Sequence, residues 1–137
     1  MPFPSLAGPL LTAETLFIEI TGNSKQGPNT ITGVSYRPHT QHRADIDIFC
    51  ISMLDIIYII TNEKNRCMLM GDCNIDLLKY NSHDKTTEYV DNLFSRGIMS
   101  LIHYPTRLTH STATLIDHMY TNNISLNSKW NYCHRCS

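Results

Sequence analysis

The chain has 137 residues, 42% hydrophobic and 17% charged, the balance of a folded domain rather than a disordered one. Its 11 Lys and Arg nearly cancel its 12 Asp and Glu, so no whole-molecule field attracts nucleic acid, and such contact needs a local basic patch. This length allows one core but is short for the larger sandwich and barrel folds, which run to roughly 200–250 residues, so a partial domain is expected.

After a Pro-rich opening, TLFIEI (15–20) alternates and reads as a strand. The turn formers TGNSKQGPN follow, and TITGVSYRP (30–38) resumes as the second strand of a hairpin. Residues 44–62 are too long for a typical strand, and apolar positions 46, 49, 53, 57 and 60 share one helical face, which predicts a helix. CMLMGD (67–72) is a short apolar run without polar alternation, the pattern of a strand covered on both faces. SHDKTTEYVDNLFSRG (82–97) reads as a helix capped by Ser82 or Asp84, with Tyr89, Leu93 and Phe94 on one face and Gly97 as its stop. MSLIHYP (99–105) predicts a strand, TRLTHST (106–112) a polar loop, and ATLIDHMYTN (113–122) another strand. Alternating strands and helices place the chain in the α/β class or in a layered α+β arrangement.

The cysteines at 50, 67, 73, 133 and 136 are odd in number and scattered. They read as reduced thiols of an intracellular protein, nuclear or cytoplasmic. The opening MPFPSLAGPLL has no basic residue and three prolines, which makes a poor signal peptide. The most apolar stretch (46–60) contains Asp55 and is shorter than the roughly 20 residues that cross a bilayer, so no membrane partner is expected. Asn123-Ile124-Ser125 is a glycosylation sequon of the kind that arises by chance. The ending Cys133-His134-Arg135-Cys136 offers one metal knuckle where a closed zinc site needs four ligands, so a frayed end is the expectation.

In MGDCNIDLL (70–78) an apolar run stops on Asp72 and Asn74. Turn formation alone explains such residues. Spaced i and i+2, they also share a face if the strand continues, setting a proton acceptor beside a neutral hydrogen-bond donor. Hydrolysis of a phosphodiester needs an activated water, neutralisation of the charge that builds on the phosphoryl oxygens and a stabilised leaving oxygen, and such a pair offers groups for that work. Tyr36 and Arg37 end their strand in the same manner, and Asp117 lies in a strand otherwise so apolar that an unpartnered acid is costly.

Three segments in order, GVSYRPH (33–39), MGDCNIDLL (70–78) and YPTRLTHSTATLIDHMYTN (104–122), each lie at the edge of a predicted strand. The set resembles the endonuclease/exonuclease/phosphatase superfamily, specifically the endonuclease domain that precedes the reverse transcriptase of non-LTR retrotransposons. The resemblance implies a partial four-layer α/β sandwich, DNase I-like, with two β-sheets flanked by helices. It spans 14–122, leaving 1–13 as an irregular segment and 123–137 as an unrelated tail. It implies a magnesium-dependent phosphodiesterase that nicks target DNA and leaves a 3′ hydroxyl to prime reverse transcription.

On that resemblance Asp72 orients or deprotonates the attacking water, Asn74 holds the phosphate, and the Tyr36 hydroxyl points at the scissile phosphate. Asp117 matches an aspartate that fixes a catalytic histidine. Arg37 supports the loop or meets the DNA backbone, and Arg107 is the favoured phosphate contact in a segment that also offers Thr109, Ser111 and Thr114. Cys73 stands at a packing position without redox function. His118 points to the face opposite Asp117 and is a packing or surface residue.

The upstream asparagine and metal-binding glutamate of such domains have no match, nor has their closing Ser-Asp-His motif. The metal set is therefore incomplete, and the expectation is a fragment inactive alone, with DNA as partner and no small-molecule cofactor. A non-catalytic nucleic-acid or partner-binding remnant is one alternative. Another is a different phosphoesterase of the same superfamily.

Overall fold

A computed structural model describes residues 13–22, 27–39 and 43–125. The readings on residues 1–12 and on the CHRC ending lie outside the described residues. Strand β1 (Glu14–Ile20) pairs antiparallel with β2 (Thr30–Tyr36), from Glu14↔Tyr36 to Ile20↔Thr30, the hairpin that the alternation predicts. Helix α1 (Arg43–Asn62) crosses over to β3 (Arg66–Asp72), which runs parallel to β2. A 3-10 turn at Leu77–Lys79 leads to α2 (Asp84–Ser95) and then to β4 (Met99–Ser100). A two-stranded ribbon of β5 (Arg107–Leu108) and β6 (Ala113–Thr114) precedes β7 (Asp117–Thr121), which inserts between β3 and β4. The main sheet therefore has the order β1-β2-β3-β7-β4.

The helices cover one face of this sheet. From α1, Phe49, Met53, Ile57 and Ile60 are buried, and from α2, Tyr89 and Leu93. They form one core with Phe17, Ile31, Cys67, Leu69 and Tyr120 of the strands. Each large apolar side chain removed from water there contributes about 1.5–3 kcal/mol. The α1 stripe is the one its apolar spacing predicts, with Ile56 added and Ile46 only half-buried. Gly33 has room for nothing larger, because the Phe17 ring lies directly on it.

Four local expectations need correction. The cap of α2 is His83, whose Nδ1 accepts from Thr86 N at 3.3 Å, and neither Ser82 nor Asp84 fills that role. The strand expected over 99–105 shrinks to two residues: Leu101 N still donates to Met119 O at 2.7 Å, and residues 103–110 are then exposed. The polar loop 106–112 instead begins a short ribbon, closed by Thr109 N donating to Thr112 O at 2.8 Å. The strand expected over 113–122 is interrupted at Leu115 and Ile116. Leu115 N donates there to Asp76 Oδ1 and Leu115 O accepts from Leu77 N, so these groups are lost to the ladder.

Among the described residues, strand β3 is covered fully on one face. Cys67 and Leu69 are buried beneath the helices, whereas Met68 and Met70 on the outer face are only half-buried. Across the same outer face Leu16, Ile18, Ile20 and Val34 are exposed. The apolar run in the sequence records a potential to be buried on both sides, and only the helix side is filled among the described residues.

Candidate functional site

The sheet register sets three predicted residues in one row. Asp72 lies directly opposite Asp117 in the β3–β7 ladder, and Arg37 N donates to Asp72 O at 2.9 Å, which brings the end of β2 and Tyr36 alongside. Side chains alternate along strands, so Tyr36, Asp72 and Asp117 emerge on the outer face, away from the helices. Glu14, paired with Tyr36, continues the row on β1. Tyr36 is 48% exposed, and both aspartates are half-buried.

Arg107 reaches this row from the ribbon. Its Nη2 stands 3.9 Å from Asp72 Oδ2, at the outer limit of an ion pair, and the Arg107 side chain is exposed. Such a pair is worth little to stability. Its interest is positional, since a cation and a carboxylate share an open surface beside a phenol. Asp117 N donates to Thr106 Oγ1 at 3.3 Å, tying the ribbon to β7.

Asn74 does not join the row. Strand β3 ends at Asp72, and Asn74 has φ 50°, in the left-handed region, so the i and i+2 alternation no longer applies. The bland turn reading explains this part of the motif: Asp72 Oδ1 accepts from Asn74 N at 3.2 Å, as in an Asx turn. Asn74 Nδ2 donates to Arg37 O at 2.6 Å. Gly71 precedes the turn at φ 150°, and a Cβ there would collide with the Ser35 carbonyl, so only glycine lets β3 approach β2 so closely.

Arg37 is only 2% exposed and supports the loop from beneath. Its Nε donates to Cys73 O at 2.7 Å, its Nη2 donates to Asn74 O at 2.8 Å, and its guanidinium lies 5.8 Å from the Phe49 ring centroid. Of the two roles weighed for it, loop support is the one this geometry serves. Cys73 is buried, with Sγ 3.5 Å from Ser35 Oγ, and burial pushes its thiol up to about 11. That favours the protonated thiol expected of a packing residue. The other described cysteines, Cys50 and Cys67, are also free.

His118 lies on the inner face, 2% exposed. Its Nε2 hydrogen-bonds with Ile75 O at 2.8 Å and its Nδ1 with the Tyr120 hydroxyl at 3.0 Å. Thr109 and Ser111 are engaged within the ribbon turn, where Thr109 Oγ1 accepts from Ser111 N and Thr112 N. Thr114, on β6, is half-buried, with its O accepting from Thr106 N. Sequence reasoning missed Asp76, whose Oδ1 accepts from both Leu78 N and Leu115 N and so joins the loop after β3 to the approach to β7. An Asp before a short Leu-Leu turn was the available signal.

Magnesium takes six oxygens, usually with one or two carboxylates and a substrate phosphate among them. Asp72 and Asp117 are the two carboxylates at hand, and among the described residues no trio of His, Cys, Asp or Glu is placed to hold a metal. These residues alone do not fit a held ion. The row lies at a sheet end where Tyr36 is exposed and the two aspartates are half-buried. A cavity of about 690 Å³ between the 3-10 turn, α2 and residues 98–103 is lined by apolar side chains such as Leu77, Phe94 and Ile102, and shares no residue with it.

No protein-family model and no curated protein matches the sequence. Among solved structures, a beta toxin from Staphylococcus aureus is similar over 78% of this chain and 42% of its own length, at 12% identity and a TM-score of 0.50. An endonuclease/exonuclease/phosphatase family protein from Bacteroides thetaiotaomicron is similar over 80% of this chain and 40% of its own, at 13% identity and a TM-score of 0.49. The chain thus has a DNase I-like α/β fold, with two sheets and two helices among its described residues. It spans well under half the length of either neighbour.

Proposed function

We propose that this chain is part of a phosphodiesterase of the endonuclease/exonuclease/phosphatase type, derived from a magnesium-dependent enzyme that nicks target DNA to prime reverse transcription. The observation that carries this reading is the row Tyr36–Asp72–Asp117 with Arg107 at its edge, on a face open to an extended substrate. Asp72 is placed to accept a proton from an attacking water. The Tyr36 hydroxyl and the Arg107 guanidinium supply donors for phosphoryl oxygens. Arg37, Asn74 and Gly71 hold the loop so that this row keeps its spacing. His118, the chain neighbour of Asp117, is committed to the inner face and is not the histidine that Asp117 would orient.

With an incomplete donor set, the chain by itself binds DNA weakly through phosphates and does not cut it. Fluorescence anisotropy on a short duplex tests the first half, with affinity expected to fall steeply as salt rises. A plasmid-nicking assay with magnesium tests the second. Absence of salt-dependent binding defeats the proposal, and EDTA-sensitive nicking that Asp72→Ala abolishes shows a complete centre in place of a partial one. A remnant that only binds nucleic acid is the second reading, favoured by the lack of a third metal ligand among the described residues.

A further inference from the structure

Helix α2 begins on a histidine where Ser, Thr, Asp or Asn ordinarily stands. Those residues cap with an oxygen that accepts at any pH near neutral, whereas a ring nitrogen accepts only while it carries no proton. His83 Nδ1 accepts from Thr86 N at 3.3 Å and lies 3.0 Å from Thr86 Oγ1, so one ring nitrogen faces an amide and a hydroxyl of the same residue. The His83 backbone is held separately: its N donates to Lys79 O at 2.9 Å, and its O accepts from Thr87 N at 3.1 Å. The ring therefore changes role without the chain turning away. His83 is exposed and open to protons, while Thr86 is only 3% exposed.

We propose that His83 is a proton-operated cap: neutral, it closes the first turn of α2 by accepting from Thr86 N, and protonated, it donates to Thr86 Oγ1 and releases that amide. A ring protonated on both nitrogens has no acceptor left. The Thr86 hydroxyl, already at hydrogen-bond distance, takes the new proton's bond and keeps the ring in place. The released amide, on a buried residue, has little water to replace its partner.

The surroundings of the ring set no fixed charge that would hold it in one state. It shares two surface hollows with Cys50 and Asp47 of α1, with Asp76 and Lys79 around the 3-10 turn, and with Asp84 and Lys85 of α2. Lys85 Nζ lies 3.1 Å from Asp47 Oδ1, which pairs those two charges. Asp76 is engaged with Leu78 N and Leu115 N, and burial pushes the Cys50 thiol up to about 12, so it stays neutral. Asp84 favours a proton on the ring, whereas Lys79 and the positive end of the helix oppose it. The consequence is local: acid loosens the turn that carries the Lys85 tie to α1, while buried Tyr89 and Leu93 keep the rest of α2 seated. The cap shares no residue with the row and is independent of any phosphate bound there.

Hydrogen exchange and ring nitrogen shifts of the full chain, read by NMR at pH 7.5 and 5.5, test it. At pH 7.5 the His83 proton is expected on Nε2. Thr86 amide protection, corrected for intrinsic rates and taken relative to the Leu93 amide, is expected to fall at least about fivefold at pH 5.5. His83→Asn and His83→Asp keep an oxygen acceptor and hold Thr86 protection constant over this range, and His83→Ala lowers it at both pH values. A proton on Nδ1 at pH 7.5, relative protection that does not fall in acid, or an equal fall in His83→Asn overturns the proposal.

Discussion

Arg37 and Asn74 hold each other's backbones: Arg37 Nη2 donates to Asn74 O at 2.8 Å, and Asn74 Nδ2 donates to Arg37 O at 2.6 Å. This reciprocal clasp joins the end of β2 to the loop after β3 and sets the separation of Tyr36 from Asp72. Arg37→Ala leaves the Cys73 and Asn74 carbonyls without these donors and opens a void beside Phe49, at a cost of about 3 kcal/mol. Lysine keeps the charge but not the fork and recovers less than half of it. Urea unfolding of the two variants measures both effects, and an Arg37→Ala protein as stable as the parent removes the clasp from the account.

Burial holds the His118 pKa below its ordinary value of 6.5, against the opposing pull of its bonds to backbone and of nearby Asp117 and Asp72. Between that lowered value and 6.5 the unfolded chain binds more protons at this site than the folded one. The His118 contribution is therefore complete above pH 6.5 and is lost as pH falls from 6.5 through the lowered folded value. Urea midpoints should drop between pH 7.5 and pH 5.5, and His118→Gln should flatten that slope by removing this site's share. An unchanged slope in the variant assigns the acid sensitivity to other groups.

Asp76 joins two segments through one oxygen, accepting from Leu78 N at 3.1 Å and Leu115 N at 3.0 Å. Asp76→Ala strands both donors and costs about 1.5 kcal/mol, while Asp76→Asn keeps an acceptor and costs less. Hydrogen exchange at the Leu115 amide reads the effect locally. Protection there that is no lower in Asp76→Ala than in the parent shows the bond to be unimportant.

The elements that repeat their own pattern were legible in the sequence. α1 and α2 declare themselves by apolar spacing, and β1 with β2 by alternation around turn formers. What failed were inferences that needed a partner's position. Met68 and Met70 look like core in a sequence window, and only the sheet's outer surroundings reveal that they are half-open. Residues 101–105 have strand-like composition, yet β7 offers β4 only Tyr120 and Thr121 as paired neighbours. Tyr36, Asp72, Asp117 and Arg107, taken from three separate segments, lie at one end of the sheet. Asn74 departs from the row because a positive φ beside Gly71 turns the chain, a backbone event that a side-chain spacing rule does not contain. Arg37 is buried where a lone loop cation ordinarily meets water, since two backbone carbonyls and a ring await it inside.

Opposite charges at the row predict opposite effects on DNA. If phosphates lie along Tyr36, Asp72 and Arg107, then Arg107→Ala removes one attraction, weakens binding severalfold and lowers the salt slope by about one. Asp72→Asn removes a repulsion and frees the Arg107 it faces at 3.9 Å, so it tightens binding or leaves it unchanged, at a nearly constant size. Tyr36→Phe loses a single donor at an exposed position and weakens binding modestly, with stability within about 0.5 kcal/mol of the parent. Anisotropy titrations of these variants at two salt concentrations measure all three. If Asp72→Asn weakened DNA binding as much as Arg107→Ala does, the carboxylate would not be facing phosphate, and the row would be a feature of the sheet end alone.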